Sequence, residues 1–337
     1  LLADFEPQAV AALGQVDGHM FAVRLEQVFH DLYEALEAVY GEDGLDALLR
    51  RLLQMALDWA IERPERLRVR DRARTVDPGW FQRARQVGYC CYVDRFSGSL
   101  KGVLDHLDYL DELGVTYLHL MPLLQPREGE NDGGYAVADY RAVDPRLGTM
   151  DDLEQLAAAM HLRGMSLCID LVLNHTAAEH EWAQRAEAGE QEYLDRYITF
   201  PDRTEPDRYE QFLPEVFPDT APGSFTWNER LGRWIWTTFH EWQWDLDYRN
   251  PATFAAMFDT MYMANRGIDV LASTRRRSSG RGLAPTARTS RNRTGCCRPS
   301  ARSCVSPPRL RCSRQRRRGA EPAGAVPRRP RLLPTRM

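Results

Sequence analysis

At 337 residues, with 44 basic and 48 acidic residues and a net charge of −4, the chain has room for two domains or for one large barrel with an appendage. It holds no signal-like start and no run of about 20 apolar residues, which excludes a membrane span and leaves a soluble cytoplasmic protein as the expectation. The near-neutral total hides an asymmetry: residues 272–337 hold 19 Arg and a single acid, Glu321, a net +18 against −22 for everything before them.

The seven cysteines divide the same way. Cys90, Cys91 and Cys168 sit in apolar strand-like runs and read as small buried hydrophobes. Cys296, Cys297, Cys304 and Cys312 lie in the basic stretch without the His or CxxC spacing of a zinc site. Nothing points to a disulfide framework, and no cluster of oxygen ligands demands calcium. No metal and no cofactor are expected.

In chain order, Phe21, Leu25, Val28, Leu32, Leu36 and Val39 recur at three- and four-residue steps and Gly41 follows, which predicts an amphipathic helix. Leu45, Leu48, Leu49, Leu52, Met55, Ala56 and Trp59 repeat the pattern until Arg63-Pro64 breaks it. Residues 1–85 therefore read as a helical N-terminal domain. From Val87 strands and helices alternate: an apolar run at 88–93, a helix at 100–113 ended by Gly114, a second run at 115–120, and a helix at 151–161 capped by Thr149 or Asp151. The loop after the second run contains Asp132-Gly133-Gly134-Tyr135, whose glycines permit positive φ and place an acid and an aromatic ring on one mobile turn.

Met165–His175 (MSLCIDLVLNH) is nearly unbroken apolar sequence, the pattern of a strand buried on both faces. It ends in Asp170, Asn174 and His175, polar groups at the carboxyl end of a strand, where a parallel barrel keeps its chemistry. Strand, helix, strand, helix, strand at this spacing implies right-handed crossovers and a parallel sheet. About 70 residues rich in Pro, Asp and aromatic rings follow; a segment that long between a strand and its helix needs its own small core. Pro251–Arg266 reads as a helix, and Gly267–Leu271 opens a fourth strand.

Together CYVDRFSGSLKGV, LGVTYLHLMPL, DGGYAVADYRAVDPRLGT, DLVLNHTAAEHEWA, WTTFHEWQWDLDYRNP and GIDVL resemble, in order and spacing, an amylosucrase of glycoside hydrolase family 13, the α-amylase superfamily, over residues 21–271. The resemblance implies an α/β fold, a (β/α)8 TIM barrel of the α-amylase type, here incomplete at about four strands. Its parts are a helical domain at 1–85, the first part of the barrel at 86–175, an inserted domain at 176–246, and a helix with the fourth strand at 247–271. It implies transfer of glucose from sucrose to an α-1,4-glucan acceptor with release of fructose; a sucrose hydrolase, a trehalose-forming relative and a non-catalytic sugar-binding remnant are the alternatives. By motif, Asp132 is similar to the acid at the closed end of the glucose site, Tyr135 to its stacking platform, and His175 to a histidine that donates to a glucose hydroxyl. Phe239 is similar to an aromatic wall facing Tyr135, and Asp170 and Asn174 to the structural partners of the His175 motif.

The resemblance stops at Leu271, where the family pattern continues as Arg-x-Asp and this chain reads Ala272-Ser273-Thr274. No catalytic residue is therefore present, because the nucleophilic Asp and acid/base Glu are expected beyond Leu271. Residues 272–337 contain no Phe, Trp, Tyr, Ile, Lys or Asp and read as a disordered Arg-rich tail. A reading-frame shift in a GC-rich gene accounts for it, since codons for Ala-Ser-Thr regroup to Arg-Leu-Asp after one inserted base. A basic arm for nucleic acid is the competing account, but Arg without Lys or interleaved aromatics argues against it, so no nucleic-acid partner and no membrane are expected, and the chain as written is expected to be inactive.

Overall fold

A computed structural model of the chain describes residues 1–274. Helix α1 spans Leu2–Tyr40, interrupted at Gly14 (φ 80°, ψ 174°), where one helix ends and the next begins. Periodicity predicts this helix only from Phe21. It begins earlier because Phe5 and Ala9, one turn apart, are buried against Leu25, Leu53 and Leu57, so packing sustains helix in a stretch that carries Pro7. Helix α2, Leu45–Glu62, buries Leu48, Leu49 and Leu52 against Leu36 and Ala255, with Phe254 and Phe258 beside them. Trp59 stacks on Phe258 at 5.0 Å.

Helix α3, Glu65–Val76, has no apolar period and buries Leu67 alone, so hydrophobic patterning gives no sign of it. Charges fix it instead. Arg63 pairs with Asp71, and Arg72 donates to Asp17 at 2.8 Å. Arg70 and Arg74 reach Asp269 at 3.0 and 2.6 Å.

The strands are β1 (Gly88–Cys91), β2 (Tyr117–Leu120), β3 (Leu124–Pro126), β4 (Val137–Val143), β5 (Ser166–Val172), β6 (His175–Ala177), β7 (Thr199–Phe200), β8 (Phe225–Asn228), β9 (Arg233–Trp236), β10 (Gln243–Asp245) and β11 (Val270–Thr274). Four of them form a parallel sheet in the order β1-β2-β5-β11. Sequential parallel strands joined by helices are the arrangement of the first four strands of a (β/α)8 barrel. On one face Leu118, Leu120, Leu167, Ile169 and Leu171 pack with Leu100, Leu107, Leu153, Leu156 and Met160 of the connecting helices. On the opposite, lumen face Cys168 and Val270 pack with Trp80, with Phe81, Tyr117 and Ala272 beside them.

Four expectations are corrected. Strand β11 continues through Thr274, with Ala272, Ser273 and Thr274 in register with Asp170, Leu171 and Val172. Backbone pairing to a buried neighbour thus carries the strand three residues past the predicted start of the tail; the remainder of that tail, 275–337, lies outside the described residues. Cys90 is exposed rather than buried, because strand alternation turns Cys91 and Tyr89 toward the helices and Cys90 toward the lumen. The helix at 100–113 breaks at His106 into Leu100–Asp105 and Leu107–Glu112. The turn carrying Asp132 is clamped rather than mobile, as its contacts below show.

Thr149 caps helix Met150–Leu162 in a reciprocal capping box with Asp152, which decides between the two candidate caps. The segment after β5 is closed at its neck by β6 pairing antiparallel with β10, His175 opposite Asp245. Beyond the neck the antiparallel sheet β7-β9-β8 carries its own small core of Ile198, Phe225 and Trp236, flanked by Phe200, Tyr209 and Trp234. Among the described residues no helix is long and apolar enough to cross a membrane.

Candidate functional site

The polar residues gather at the carboxyl ends of β1, β2 and β5. Asp170, on the lumen face of β5, is 4% exposed; its Oδ1 lies 3.2 Å from His119 Nε2 on β2, and its Oδ2 accepts from the Tyr135 hydroxyl at 3.0 Å. A buried carboxylate is tolerated only when such partners replace water. Burial first, and then the adjacent Asp170 charge, push the Tyr135 phenol well above its usual range, so it remains a donor.

Tyr135 arrives from the tip of the β3–β4 hairpin. Asp132, Gly133 and Gly134 all have positive φ, at 54°, 69° and 95°, and the Asn131 side chain accepts from the Gly134 amide at 3.0 Å. A Cβ on Gly133 would lie 3.2 Å from the Tyr92 hydroxyl, and one on Gly134 3.0 Å from Pro122 Cβ. The two glycines therefore answer both to backbone conformation and to walls on either side. Gly134→Ala is expected to cost about 1–3 kcal/mol through strain at this φ and the Pro122 contact; a thermal melt followed by circular dichroism checks it.

His175 opens β6 and is buried. Its Nε2 lies 3.1 Å from the Tyr135 carbonyl and 3.0 Å from Gln243 Nε2, and its Nδ1 lies 3.3 Å from Asn174 Nδ2. Burial lowers its pKa, which favours the neutral ring with a single N–H. Both ring nitrogens thus have polar neighbours within the protein.

The Phe239 ring meets His175 edge-to-face at 5.1 Å and Phe217 at 6.3 Å. It is positioned by Asp245, which is fully buried and accepts from Asn174 Nδ2 at 3.0 Å, from the Thr238 amide at 3.3 Å and from the Thr238 hydroxyl. Asp245 thus ties the β5 exit to the segment carrying Phe239.

His119, Gln243, Asp245 and Thr238 join this site without having been singled out in the sequence. Two signals were present: His119 is the one basic side chain facing the lumen in the strand Tyr-Leu-His-Leu, and Asp245 is the one acid in the aromatic-rich stretch Trp-Gln-Trp-Asp-Leu. Among the described residues no group of three or more His, Cys, Asp and Glu converges as metal ligands would. The arrangement presents carboxylates at an edge and rings at its sides, the chemistry that suits a polyhydroxylated ring with apolar C–H faces.

The sequence profile of the alpha-amylase catalytic domain matches residues 69–271. The trehalose synthase of Pimelobacter sp. (strain R48) is 33% identical over 202 residues, covering 57% of this chain and 34% of that protein. The trehalose-6-phosphate hydrolase of Escherichia coli (strain K12) is 32% identical over 207 residues, covering 58% and 35%. Among solved structures, a MutB variant in complex with the substrate sucrose superposes with a TM-score of 0.51 at 26% identity, covering 58% of this chain and 35% of that one. The trehalose-6-phosphate hydrolase of Bacillus licheniformis superposes with a TM-score of 0.50 at 27% identity, covering 58% and 35%. The chain spans about a third of the length of the curated relatives it matches.

Proposed function

The chain belongs to the alpha-amylase catalytic-domain family, and from that membership we propose that its described residues form the glucosyl-binding side of a retaining α-glucoside enzyme that acts on sucrose in the manner of an amylosucrase. Asp132 accepts from sugar hydroxyls, the Tyr135 and Phe239 rings cover the apolar faces of the glucosyl unit, and Asp170 and Asn174 hold those groups in place. His175 acts as a brace, bonded to the Tyr135 carbonyl and packed on Phe239. The observation that supports this reading is the meeting of the 132–135 turn, His175 and Phe239, three stretches far apart in sequence, beside Asp170 at the carboxyl end of β5.

Chemistry through an oxocarbenium-like transition state needs a carboxylate nucleophile and a carboxylic acid about 5 Å apart. The family pattern puts an arginine and the nucleophile where this chain has Ala272 and Thr274, in register with Asp170 and Val172. The proposed activity of the chain as written is therefore recognition without turnover. Sucrose is favoured by the motifs and by the MutB complex; trehalose is the rival, favoured by the names of the curated relatives.

Ligand-observed NMR with sucrose, trehalose and glucose tests the reading. Saturation transfer to the glucosyl protons is expected, and Asp132→Asn is expected to weaken binding about tenfold or more, since hydrogen bonds to a charged group are worth about 1.5–3 kcal/mol. Absence of transfer to all three sugars would refute the proposal.

A further inference from the structure

Tyr92, which follows β1, brings a second phenol to the site. Whereas the Tyr135 hydroxyl is spent on Asp170, the Tyr92 hydroxyl has no hydrogen-bond partner among the described residues. It lies against the backbone of Gly133, where an added side chain would meet it at 3.2 Å, and is thus one residue from Asp132. The Arg95 guanidinium covers its ring at 5.7 Å. We infer that Tyr92 is a further sugar-contacting residue, its O–H donating to a hydroxyl of the same glucosyl unit whose hydroxyls Asp132 accepts. The inference rests on the glucosyl-binding reading above.

Donor balance supports it. The Asp132 carboxylate can only accept, so a sugar hydroxyl that donates to it turns its lone pairs toward whatever donor stands beside it. Burial, and then the Asp132 and Asp170 charges, push the Tyr92 phenol upward, so it keeps its proton at neutral pH. A hydroxyl that donates to a carboxylate while accepting from a phenol is polarised by both, and each bond strengthens the other. Gly133 has a matching explanation: any side chain there would push the phenol away from the turn.

The test is a glucose titration of the full chain, Tyr92→Phe and Asp132→Asn, followed by ligand-observed NMR and repeated with monodeoxyglucoses. Tyr92→Phe keeps the ring over Gly133 and removes only the donor. Its glucose affinity is expected to fall about five- to tenfold, as for one lost hydrogen bond. One deoxyglucose should show the same loss on the unmodified chain and no further loss on Tyr92→Phe. Equal binding by Tyr92→Phe and the unmodified chain, with Asp132→Asn impaired, overturns the inference alone. Weaker binding by Tyr92→Phe that simply adds to the loss from every deoxyglucose also overturns it, because the residue would then act through packing. No binding by the unmodified chain overturns both this inference and the reading it rests on.

Discussion

Asp269→Ala is expected to lower the unfolding free energy by about 3–5 kcal/mol, the cost of stripping one partner from a buried charge cluster. Asp269 is 3% exposed and stands just before β11. Its Oδ1 faces Arg70 and Arg74 at 3.0 and 2.6 Å, and its Oδ2 meets His161 Nε2 at 2.9 Å and the Leu167 amide at 2.8 Å. Removal leaves two guanidiniums, themselves mostly buried, facing a cavity, and leaves a strand amide without an acceptor. Since a domain holds only about 5–15 kcal/mol in all, the urea midpoint should fall steeply. An unchanged midpoint would mean that α3 is not anchored through this carboxylate.

The same group sets a pH dependence. Burial by itself pushes the Asp269 carboxyl up, but the His161 hydrogen bond and the Arg74 and Arg70 charges together outweigh it and hold the group well below the usual carboxylate range. A carboxyl depressed by folding contributes stability that is fully present above its unfolded pKa, about 3.9, and is lost as pH falls through the folded value. Unfolding below about pH 4 should therefore have a component that Asp269→Ala removes.

No fructose is expected from sucrose, and no glucose from trehalose, above the buffer rate when the chain as written is assayed. β11 is the strand on which the nucleophile is expected, and it presents Ala272 opposite Asp170 and carries threonine at 274. Loss of a nucleophile in an enzyme that works through a covalent intermediate slows the reaction on the order of 10⁴–10⁶-fold, and the acid/base Glu that the resemblance implies is likewise expected beyond Leu271, where the family match ends. Release by sequence-verified protein would refute both this expectation and the assignment of positions 272 and 274. A single-base correction of the gene that restores Arg-Leu-Asp at 272–274 supplies the converse test. Fructose release with growth of an α-1,4-glucan is the amylosucrase outcome, whereas trehalose from maltose would favour the rival substrate.

Local pattern determined a good deal of this protein. The apolar run at 165–173, the helices after Leu45 and Met150, and the alternation of strand and helix from Val87 follow from side-chain period alone, which is why the parallel sheet was legible. Linked motifs identified the family and nominated Asp132, Tyr135, His175 and Phe239. Helix α3 was not legible, because Arg70 and Arg74 are satisfied by Asp269, almost two hundred residues away, and a charged helix has no period to read. Neither was the hairpin β3–β4, because Val137–Val143 buries Val137, Tyr140 and Val143 at three-residue steps rather than in strand alternation. His119 and Asp245 look like isolated polar residues until β2 meets β5 and β6 meets β10; only tertiary contact turns them into partners of Asp170 and Asn174. The same kind of contact joined the Tyr135 hydroxyl to Asp170 and left the Tyr92 hydroxyl without a partner among the described residues. Sequence states which groups a chain owns, but the hydrogen-bond partners available to each are decided by strands that pair across long separations, since a buried polar group must be satisfied by whatever the fold brings within about 3 Å.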